Sequence, residues 1–501
     1  MKKYTISNMF LYRHRFGIGY AILGLLFAAM LILLPAITPN GLSEAEMQSS
    51  VTSANLNRNT ILSGNIVDLP YHMLQKVSIM LFGLTPYGIK LPSIIMGGIL
   101  GILFILLLNR WFKNNVAIMA SVLAVLSSSF LYIAGSGTPL IMIVFWPTLL
   151  FWIGSKIQGE NKPRPFYSFI FAIILLLSIF TPYMIYLAIF IVIFALVNPH
   201  LRFTIKNLPK VPFTLMTIIV LAVGAFIVYN ATKNHGTIPE LLFMNDFSWG
   251  KYLANIRDAF MPFFQWNGMV ENTFLAPLIG LASMALAVIG LISTYKGFFA
   301  SRNSIATCLI AFTVIISGFN PICAILLILP LAILIAHGFR YTLNSWYGLF
   351  PENPYARVFG IIPIAIFLGI MITSDITHFI FGYRYNPAVA NLFSNDLQLV
   401  KEHVEENTIL VTSTDLEKDF YSILENKRII GTNKQIKVTN KIDATIGATS
   451  FATLRNIEDE KNAEFFKGYK LDKIITNSKT ENSDRIYIYK IIAAELEEPG
   501  V

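Results

Sequence analysis

The chain has 501 residues, of which 55% are hydrophobic and only 13% charged, and its formal net charge is +9. Soluble domains carry about 25% charged residues, so this composition excludes a soluble globular protein and predicts a polytopic membrane protein. The two cysteines, Cys308 and Cys323, lie in apolar segments, which excludes a disulfide framework.

The N-terminal segment, residues 1–16, is basic and precedes an apolar run long enough to cross a bilayer. A signal peptide has a similar order of segments, but this run is long and lacks a clear cleavage site of small residues. We therefore predict a retained signal anchor, with residues 1–16 in the cytoplasm.

Eleven apolar runs approach the roughly 20 residues that a helix needs to cross the hydrocarbon core. They cover residues 17–37, 88–109, 115–134, 138–154, 166–180, 182–197, 211–229, 273–294, 304–319, 321–337 and 358–374. The stretch from Phe166 to Val197 is too long for one helix and contains Pro182, where proline removes a backbone donor. It predicts two short spans joined by a tight turn, with one long kinked helix as the alternative.

The basic residues before residue 375 are distributed unevenly between the two sides that this span count defines. Sixteen Lys and Arg fall on the side of the N-terminus and six on the other side. Basic residues collect in cytoplasmic loops, so we expect a plasma (inner) membrane protein with a cytoplasmic N-terminus. The basic net charge therefore reflects topology, and no nucleic-acid partner is expected.

The predicted transmembrane domain covers residues 17–374, with a first outer loop at 38–87 and a long outer loop at 230–272. The tail that follows contains 16 Lys plus Arg and 20 Asp plus Glu. Its β-branched runs flank a helix-like stretch from Asp415 to Asn426. The runs are NTILVTST, KRIIGT, DATIGA, DKIITN and RIYIYKI. Residues 375–501 therefore predict a soluble α/β domain on the extracytoplasmic side.

The long outer loop contains an amphipathic stretch, GKYLANIRDAFMPFFQWNG. Its apolar residues recur at helical spacing, whereas Lys251 and Arg257 face elsewhere. With Trp249 and Trp266 near headgroup level, this pattern is typical of a helix in contact with membrane lipids at the interface. A loop helix packed on its neighbours is the alternative.

The first outer loop contains three of the nine Asp and Glu residues that precede residue 375, namely Glu44, Glu46 and Asp68. Ser43 and Glu46 match the S-x-x-E capping box, which predicts that a helix starts at Ser43. Residues two apart on a helix point about 200° apart, so Glu44 and Glu46 cannot share a face. Glu46 is the better cap, and both acids are also explained as complements to the helix N-terminus.

The same loop has an ordered set of short motifs. An apolar anchor is followed by P-x-G-L-(S/N)-x-x-E, then Pro70-Tyr71, then Leu-Phe-Gly at 81–83 and Lys-Leu-Pro-Ser at 90–93. This order resembles that of the GT-C membrane glycosyltransferases, in particular the protein O-mannosyltransferase and aminoarabinose-transferase branch, glycosyltransferase family 39. In that branch an Asp-Glu pair opens the first interfacial helix, and an arginine stands where this sequence has Lys90.

The resemblance implies a polytopic α-helical membrane protein of GT-C type with a C-terminal extracytoplasmic α/β domain. It also implies an inverting transfer of a sugar from a polyprenyl-phosphate-linked donor to an acceptor on the outer face. The acceptor group would be a hydroxyl or an amine of a protein, a lipid or a cell-wall glycan.

The resemblance also implies roles for particular residues. A carboxylate takes the proton of the acceptor in the transition state, and Glu44 is the first candidate for this base, with Glu46 second. Cations hold the departing phosphate, on which charge develops. The candidates for that role are the outer-side cations Lys90, Lys251 and Arg257, and Tyr71 and His72 are candidates for contact with the substrate.

The sequence departs from the pattern of that branch at the acid pair. Ser43-Glu44-Ala45-Glu46 stands where Asp-Glu is usual. Two glutamates without a nearby histidine make a weak site for a divalent ion. We therefore predict no metal ligand and no required cofactor, with a divalent cation as an open alternative.

A non-catalytic protein is the alternative function, either a scaffold of the same fold or a lipid-carrier flippase or transporter. Transport usually needs charged groups inside the spans. The predicted spans have none in their middle, which disfavours an ion-coupled transporter. The enzyme, in contrast to the scaffold, requires that Glu44 or Glu46 points into a groove.

Overall fold

The computed structural model of this protein describes most of the chain. The described residues are 14–37, 41–64, 66–157, 164–198, 202, 210–244, 248–264, 269–270, 274–275, 277–295, 301–349, 354–386, 389, 392–405, 408–425, 436–440, 450–454, 469–476 and 485–491. The predicted strands KRIIGT and DATIGA, most of the N-terminal segment and Trp266 lie outside them.

Helices dominate the described part of the chain. They are α1 (Arg15–Ile37), α2 (Glu44–Ala54), α3 (Arg58–Leu62), α4 (Leu69–Phe82), α5 (Pro86–Leu108), α6 (Asn114–Val125), α7 (Ser128–Gly135), α8 (Met142–Ile157), α9 (Pro165–Ser178), α10 (Met184–Val197), α11 (Lys210–Lys233), α12 (Thr237–Leu241), α13 (Trp249–Phe264), α14 (Leu281–Tyr295), α15 (Ser301–Ser317), α16 (Ile328–Leu349), α17 (Pro354–Tyr385), α18 (Asp396–His403) and α19 (Asp415–Ser422). Short 3-10 segments at Pro139–Ile141 and Pro321–Leu327 lead into α8 and α16.

The helices form a membrane-type bundle. Among the described residues, four helical segments are long and apolar enough to cross a bilayer, or five if α6 and α7, bent by 65°, count as one. A helix overlaps each predicted span, although several of these helices are short, so the number of spans stays a prediction. Apolar side chains on the outside of the bundle, such as Leu25, Val197 and Phe359, are at least 70% exposed, as expected for a surface that contacts lipid.

The long apolar stretch after Phe166 is two helices, as its proline predicts. Helix α9 ends at Ser178 and α10 begins at Met184, with Tyr183 in a left-handed conformation at φ 62°. The backbone groups freed by this break bond to other segments. The Phe180 carbonyl accepts from the Asp68 amide at 2.8 Å, and the Tyr183 amide donates to the Leu241 carbonyl at 2.9 Å.

The last bundle helix is longer than the sequence predicted. The sequence predicts that the final span ends at Ser374, where charged residues become frequent, but α17 continues through Asp375 to Tyr385. Apolar residues recur at helical spacing beyond that point, and Phe379 and Tyr383 are buried in the bundle core. Asp375 is therefore a buried acid within the helix, 4% exposed, and the spans are less free of charge than predicted.

The C-terminal part of the chain contains a five-stranded mixed sheet. The strands are β3 (Ile409–Val411), β4 (Lys437–Thr439), β5 (Ser450–Thr453), β6 (Tyr469–Thr476) and β7 (Arg485–Ile491), which follow a small hairpin of β1 (Met269–Val270) and β2 (Phe274–Leu275). The order in the sheet is β4-β3-β5-β7-β6, with β3 parallel to β4 and β5, and β7 antiparallel to both of its neighbours. Three of these strands and α19 coincide with predicted elements.

The sheet region and the first loop share one apolar core. Met47 and Ile79 of the first loop belong to the same buried cluster as Val400 and Phe420 of the C-terminal region. A short antiparallel bridge joins Leu42 to Ser394, with amide-to-carbonyl distances of 2.8 and 2.9 Å. Burial of this shared surface stabilises the first loop against the C-terminal region.

Candidate active site

A cavity of about 860 Å³ lies where the first loop, the bundle and the start of the C-terminal region meet. Its lining includes Glu44, Asp68, His72, Glu240 and Phe393. These residues come from α2, the start of α4, α12 and the segment after α17. Three carboxyl groups and one imidazole therefore border one space of the size of a small-molecule site.

Glu44 and Glu46 of α2 lie in different surroundings, as predicted for residues that do not share a helix face. Ser43 caps the helix in a full capping box, in which its hydroxyl accepts from the Glu46 amide at 3.3 Å and its own amide donates to Glu46 Oε2 at 2.9 Å. Glu44 is exposed and lines the cavity, whereas Glu46 is 1% exposed and lies behind the wall. The two carboxylates do not converge on one point.

Glu46 joins the first loop to the second outer turn. Its Oε1 accepts from the Gly137 amide at 2.6 Å and lies 3.8 Å from Lys90 Nζ. Lys90 is 2% exposed, and its Nζ donates to the Gly41 carbonyl at 2.9 Å. Both Glu46 oxygens and the Lys90 ammonium are thus satisfied within the protein, as buried charges must be.

Asp68 contributes a buried carboxyl to the cavity. It precedes α4 in a left-handed conformation, φ 50° and ψ 27°, and its side chain is 8% exposed. Oδ1 has no hydrogen-bond partner among the described residues. Burial raises the pKa of Asp68 well above the usual range, the hydrogen bond with Thr181 opposes this shift, and the charge of Glu240 adds to it. The carboxyl is therefore neutral well above the pH at which an ordinary aspartate ionises.

His72 is held by a buried polar network at the cavity wall. Its Nδ1 lies 2.8 Å from Ser53 Oγ, and Ser53 Oγ also donates to Gln75 Oε1 at 2.6 Å. Gln75 Oε1 accepts from Ser49 Oγ at 2.8 Å as well. Burial lowers the pKa of His72 to about 4, partly offset by hydrogen bonding to Gln75, so the ring is neutral near pH 7.

The other predicted site residues do not reach the cavity. Tyr71 is fully buried, and its hydroxyl lies 2.8 Å from Ser93 Oγ. Arg257 is 71% exposed and pairs with Asp258, with 2.9 Å between Nη2 and Oδ1. Lys251 is also exposed on α13. Neither α13 cation is among the residues that line the cavity.

Helix α13 packs on the bundle by one face and leaves the other face open. Tyr252 Oη donates to the Ile315 carbonyl at 2.8 Å, and Ala259 is buried. Trp249 and Leu253 are 80% and 76% exposed. The helix therefore has both the neighbour contacts and the exposed apolar side chains that the two sequence interpretations predict.

No Lys or Arg occurs among the described residues that line the cavity. The described residues also contain no group of three or more His, Cys, Asp or Glu placed to hold a metal ion. The ionisable groups on the described wall are therefore carboxyl groups and the His72 imidazole. Lys90 lies outside the lining and contacts Glu46, the Gly41 carbonyl and the ring of Phe393, with 6.0 Å from Nζ to the ring centroid.

The sequence patterns do not assign Asp68 or Glu240 to a site. Asp68 was recognised as a first-loop acid, and the following Leu-Pro pair is a signal for the start of a helix, but nothing local indicates that it faces a cavity. Glu240 lies about 170 residues further along the chain. The two acids meet because the break between α9 and α10 holds both segments, through Phe180 and Tyr183.

Comparisons with known proteins give matches in structure alone, because no protein-family model and no curated protein sequence matches this chain. ArnT from Cupriavidus metallidurans bound to undecaprenyl phosphate matches with a TM-score of 0.52 and 12% identity, over 95% of this chain and 98% of its own. The same enzyme in the apo state matches with a TM-score of 0.52 and 13% identity, over 94% and 98% of the two chains.

A second kind of protein matches with the same TM-score. The oligosaccharyltransferase from Archaeoglobus fulgidus, tethered with an acceptor peptide containing the NVT sequon, has a TM-score of 0.52 and 13% identity, over 91% of this chain and 68% of its own. Both proteins are GT-C enzymes. The resemblance inferred from the loop motifs is thus confirmed at the level of the fold, and this chain is a polytopic membrane protein with the GT-C fold.

Proposed function

We propose that this protein is an inverting glycosyltransferase that moves a sugar from a polyprenyl-phosphate-linked donor to an acceptor hydroxyl or amine on the outer face of the membrane. The fold supports this proposal, because one protein that shares it was solved with undecaprenyl phosphate and another with an acceptor peptide. The cavity beside the membrane bundle supplies a place for the reaction.

The observation that carries the proposal is the position of Glu44. Glu44 is exposed and lines the cavity from the first turn of α2, whereas the Glu46 carboxylate is enclosed by the Ser43 amide, the Gly137 amide and Lys90. We assign Glu44 as the general base and Glu46 as a structural residue that fixes α2. A base must be within reach of the proton that it removes, and Glu46 lies behind the wall.

In the proposed step, the acceptor oxygen forms a bond to the anomeric carbon while its proton passes to the Glu44 carboxylate. The bond from that carbon to the carrier phosphate breaks, and its electron pair leaves on the phosphate oxygen. Attack from the side opposite to the leaving group inverts the anomeric carbon.

Phosphate binding is assigned differently from the sequence-based expectation. Lys251 and Arg257 are exposed on α13 and are not among the residues that line the cavity, and Lys90 pairs with Glu46. The neutral Asp68 carboxyl at the cavity is a hydrogen-bond donor that an anionic leaving group can use, since an acid kept protonated by burial donates as a hydroxyl does.

The test is sugar release from a panel of radiolabelled polyprenyl-phosphate sugars by purified protein, wild type beside Glu44→Gln. The expected loss is about 10²- to 10⁴-fold in rate, with a stability cost of only about 0.3–1 kcal/mol for a first-turn acid. Asp415→Asn is a matched control, because Asp415 is likewise a first-turn acid, in α19 behind the capping box of Thr414 and Glu417, and it does not line the cavity.

Full activity of Glu44→Gln contradicts the base assignment. No release by the folded wild type from any donor of the panel contradicts the donor class, and favours a non-catalytic scaffold of the same fold. The specific observation that favours such a scaffold is the cavity wall itself, whose described residues include no cation for the carrier phosphate.

A further inference from the structure

The orientation of the Gln75 side chain is determined by its surroundings. Nε2 lies 2.7 Å from the Gly137 carbonyl and 3.1 Å from the Ile89 carbonyl. Both partners only accept hydrogen bonds, so both hydrogens of the amide nitrogen are used there. A flipped amide would place its oxygen against two carbonyl oxygens. Oε1 therefore faces Ser49 and Ser53 and accepts from both.

This orientation determines where the hydroxyl hydrogen of Ser53 points. A serine hydroxyl has one hydrogen, and at 2.6 Å from Gln75 Oε1 it must point at that oxygen, because two oxygens cannot approach so closely without a hydrogen between them. Ser53 Oγ is then an acceptor towards His72 Nδ1, 2.8 Å away. Nδ1 consequently carries the imidazole proton.

In a neutral imidazole that is protonated on Nδ1, Nε2 has a lone pair and is an acceptor. His72 is one of the residues that line the cavity, whereas Ser53 and Gln75, which occupy the Nδ1 side of its ring, are not. We therefore infer that the Nε2 side of the ring is the side towards the cavity. The network thus fixes both the direction and the tautomer of His72 from behind.

We propose that His72 Nε2 is a fixed hydrogen-bond acceptor for a sugar hydroxyl bound in the cavity, so that His72 positions the sugar relative to Glu44. This inference rests on the proposed function for the nature of the ligand, but the tautomer is a property of the protein alone. The hydroxyl can belong to the sugar of the lipid-linked donor or to a saccharide acceptor.

The low pKa of His72, about 4, keeps the acceptor available at ordinary pH. Protonation of Nε2 would turn the acceptor into a donor, and burial makes that protonation unfavourable. Glu44 and Glu240, which line the same cavity, are also hydrogen-bond acceptors when ionised, so this wall is suited to a ligand with several hydroxyl donors.

The tautomer is tested by nitrogen NMR of the wild-type protein with ¹⁵N-labelled histidine, in lipid nanodiscs near pH 7. The chain has seven histidines, and the His72 signals are assigned as those that disappear in His72→Asn. We expect a protonated Nδ1 and an unprotonated Nε2. A protonated Nε2 overturns the inference, whether or not the protein is an active transferase.

The ligand is tested by adding three probes to the same sample: undecaprenyl phosphate, undecaprenyl-phosphate-linked glucose and methyl β-D-glucopyranoside. A shift of Nε2 with the linked sugar but not with the bare carrier identifies the donor sugar, and a shift with the methyl glycoside identifies a saccharide acceptor. Binding of the linked sugar with no shift from either sugar probe overturns the inference. No binding of any probe contradicts the proposed donor class and removes the ligand assigned to His72, but leaves the tautomer result intact.

Two substitutions test the roles of the two ring nitrogens of His72 separately. In His72→Asn, the side-chain amide takes the place of Nδ1 and can still donate to Ser53, but no acceptor remains at the place of Nε2. In His72→Gln, the longer side chain carries its oxygen to that place. We expect the sugar ligand that shifts Nε2 to bind about 3- to 10-fold more weakly to the Asn variant, the loss of about one neutral hydrogen bond, with partial recovery in the Gln variant. Equal affinity of both variants and wild type overturns the inference.

Discussion

Glu44 and Glu46 show how two like residues, two positions apart, acquire different roles from their surroundings. Glu44 lines the cavity, whereas the Glu46 carboxylate contacts Gly137 and Lys90. Gly137 has no room for a side chain, because an added Cβ would lie 2.6 Å from Ile89 Cγ2. The close approach of this turn therefore depends on glycine, and it places a backbone amide where Glu46 needs a donor.

Asp68 makes stability depend on pH in a defined direction. The pKa of Asp68 in the folded protein is raised above the value of about 3.9 in an unfolded chain. In the pH interval between these two pKa values, the folded protein holds a proton that the unfolded chain has lost. Stability consequently falls as pH rises through the interval. His72 acts in the opposite direction, since a folded pKa of about 4, below its usual value of about 6.5, makes stability fall as pH drops between the two.

The substitution Asp68→Asn removes the pH dependence of stability that comes from Asp68 and leaves that of His72. Asparagine tolerates the left-handed backbone and mimics the neutral acid, but it cannot ionise. We expect the difference in melting temperature, variant minus wild type, to increase with pH from about 4 upward, since His72 is common to both proteins. The measurement is thermal unfolding in detergent at several pH values. A difference that does not change with pH contradicts a raised pKa for Asp68.

At the scale of elements, local patterns in the sequence predicted local structure. The capping box at Ser43, the break at Pro182 and the helix of the long outer loop are all present, because each is determined by neighbours within a few residues. Strands β4 and β5, with three and four residues, were not predicted, because runs so short carry no clear alternation.

The site itself was only partly predictable. Glu44 and His72 were identified from the first loop and both line the cavity, whereas Glu240 is brought there by contacts between segments that are distant in sequence. The sequence predicts Lys90 as a phosphate ligand because it is one of the few cations on the outer side. Its partner Glu46 could not be deduced from spacing, because the two residues are far apart in sequence and only the fold brings them within 3.8 Å.

The junction between the first loop and the C-terminal region depends on Gly41. This residue has φ +123°, and an added Cβ would lie 2.5 Å from the Ser394 carbonyl oxygen. Gly41→Ala should therefore push apart the bridge between Leu42 and Ser394, at a cost of about 1–3 kcal/mol.

Limited proteolysis measures this effect. We expect faster cleavage near Ser394 in Gly41→Ala than in wild type, because the bridge that holds this backbone is weakened. Gly369→Ala is the matched control, since an added Cβ at Gly369 would meet nothing within 4 Å. Equal cleavage rates for Gly41→Ala and wild type would show that the bridge does not hold the C-terminal region.

At the scale of the whole molecule, the shared apolar core constrains the topology. Met47 and Val400 belong to one buried cluster, so the first loop and the C-terminal region lie on the same side of the membrane. The chain must then cross the bilayer an even number of times between them. The predicted spans that follow the first one, 88–109 to 358–374, satisfy this condition, whereas one more or one fewer would not.

Cysteine labelling tests both this parity and the orientation. In a chain with Cys308 and Cys323 replaced by alanine, single cysteines are introduced as Arg58→Cys in the first loop, Asp419→Cys in α19 and Asn109→Cys after α5, all exposed positions. We expect a membrane-impermeant maleimide to label the first two in right-side-out vesicles and the third only in inside-out vesicles, because the basic loops face the cytoplasm.

A reversed pattern for all three would contradict the orientation but keep the parity. Labelling of Arg58→Cys and Asp419→Cys from opposite sides would contradict the shared core, and with it the contribution of Phe393 to the cavity that Glu44 faces.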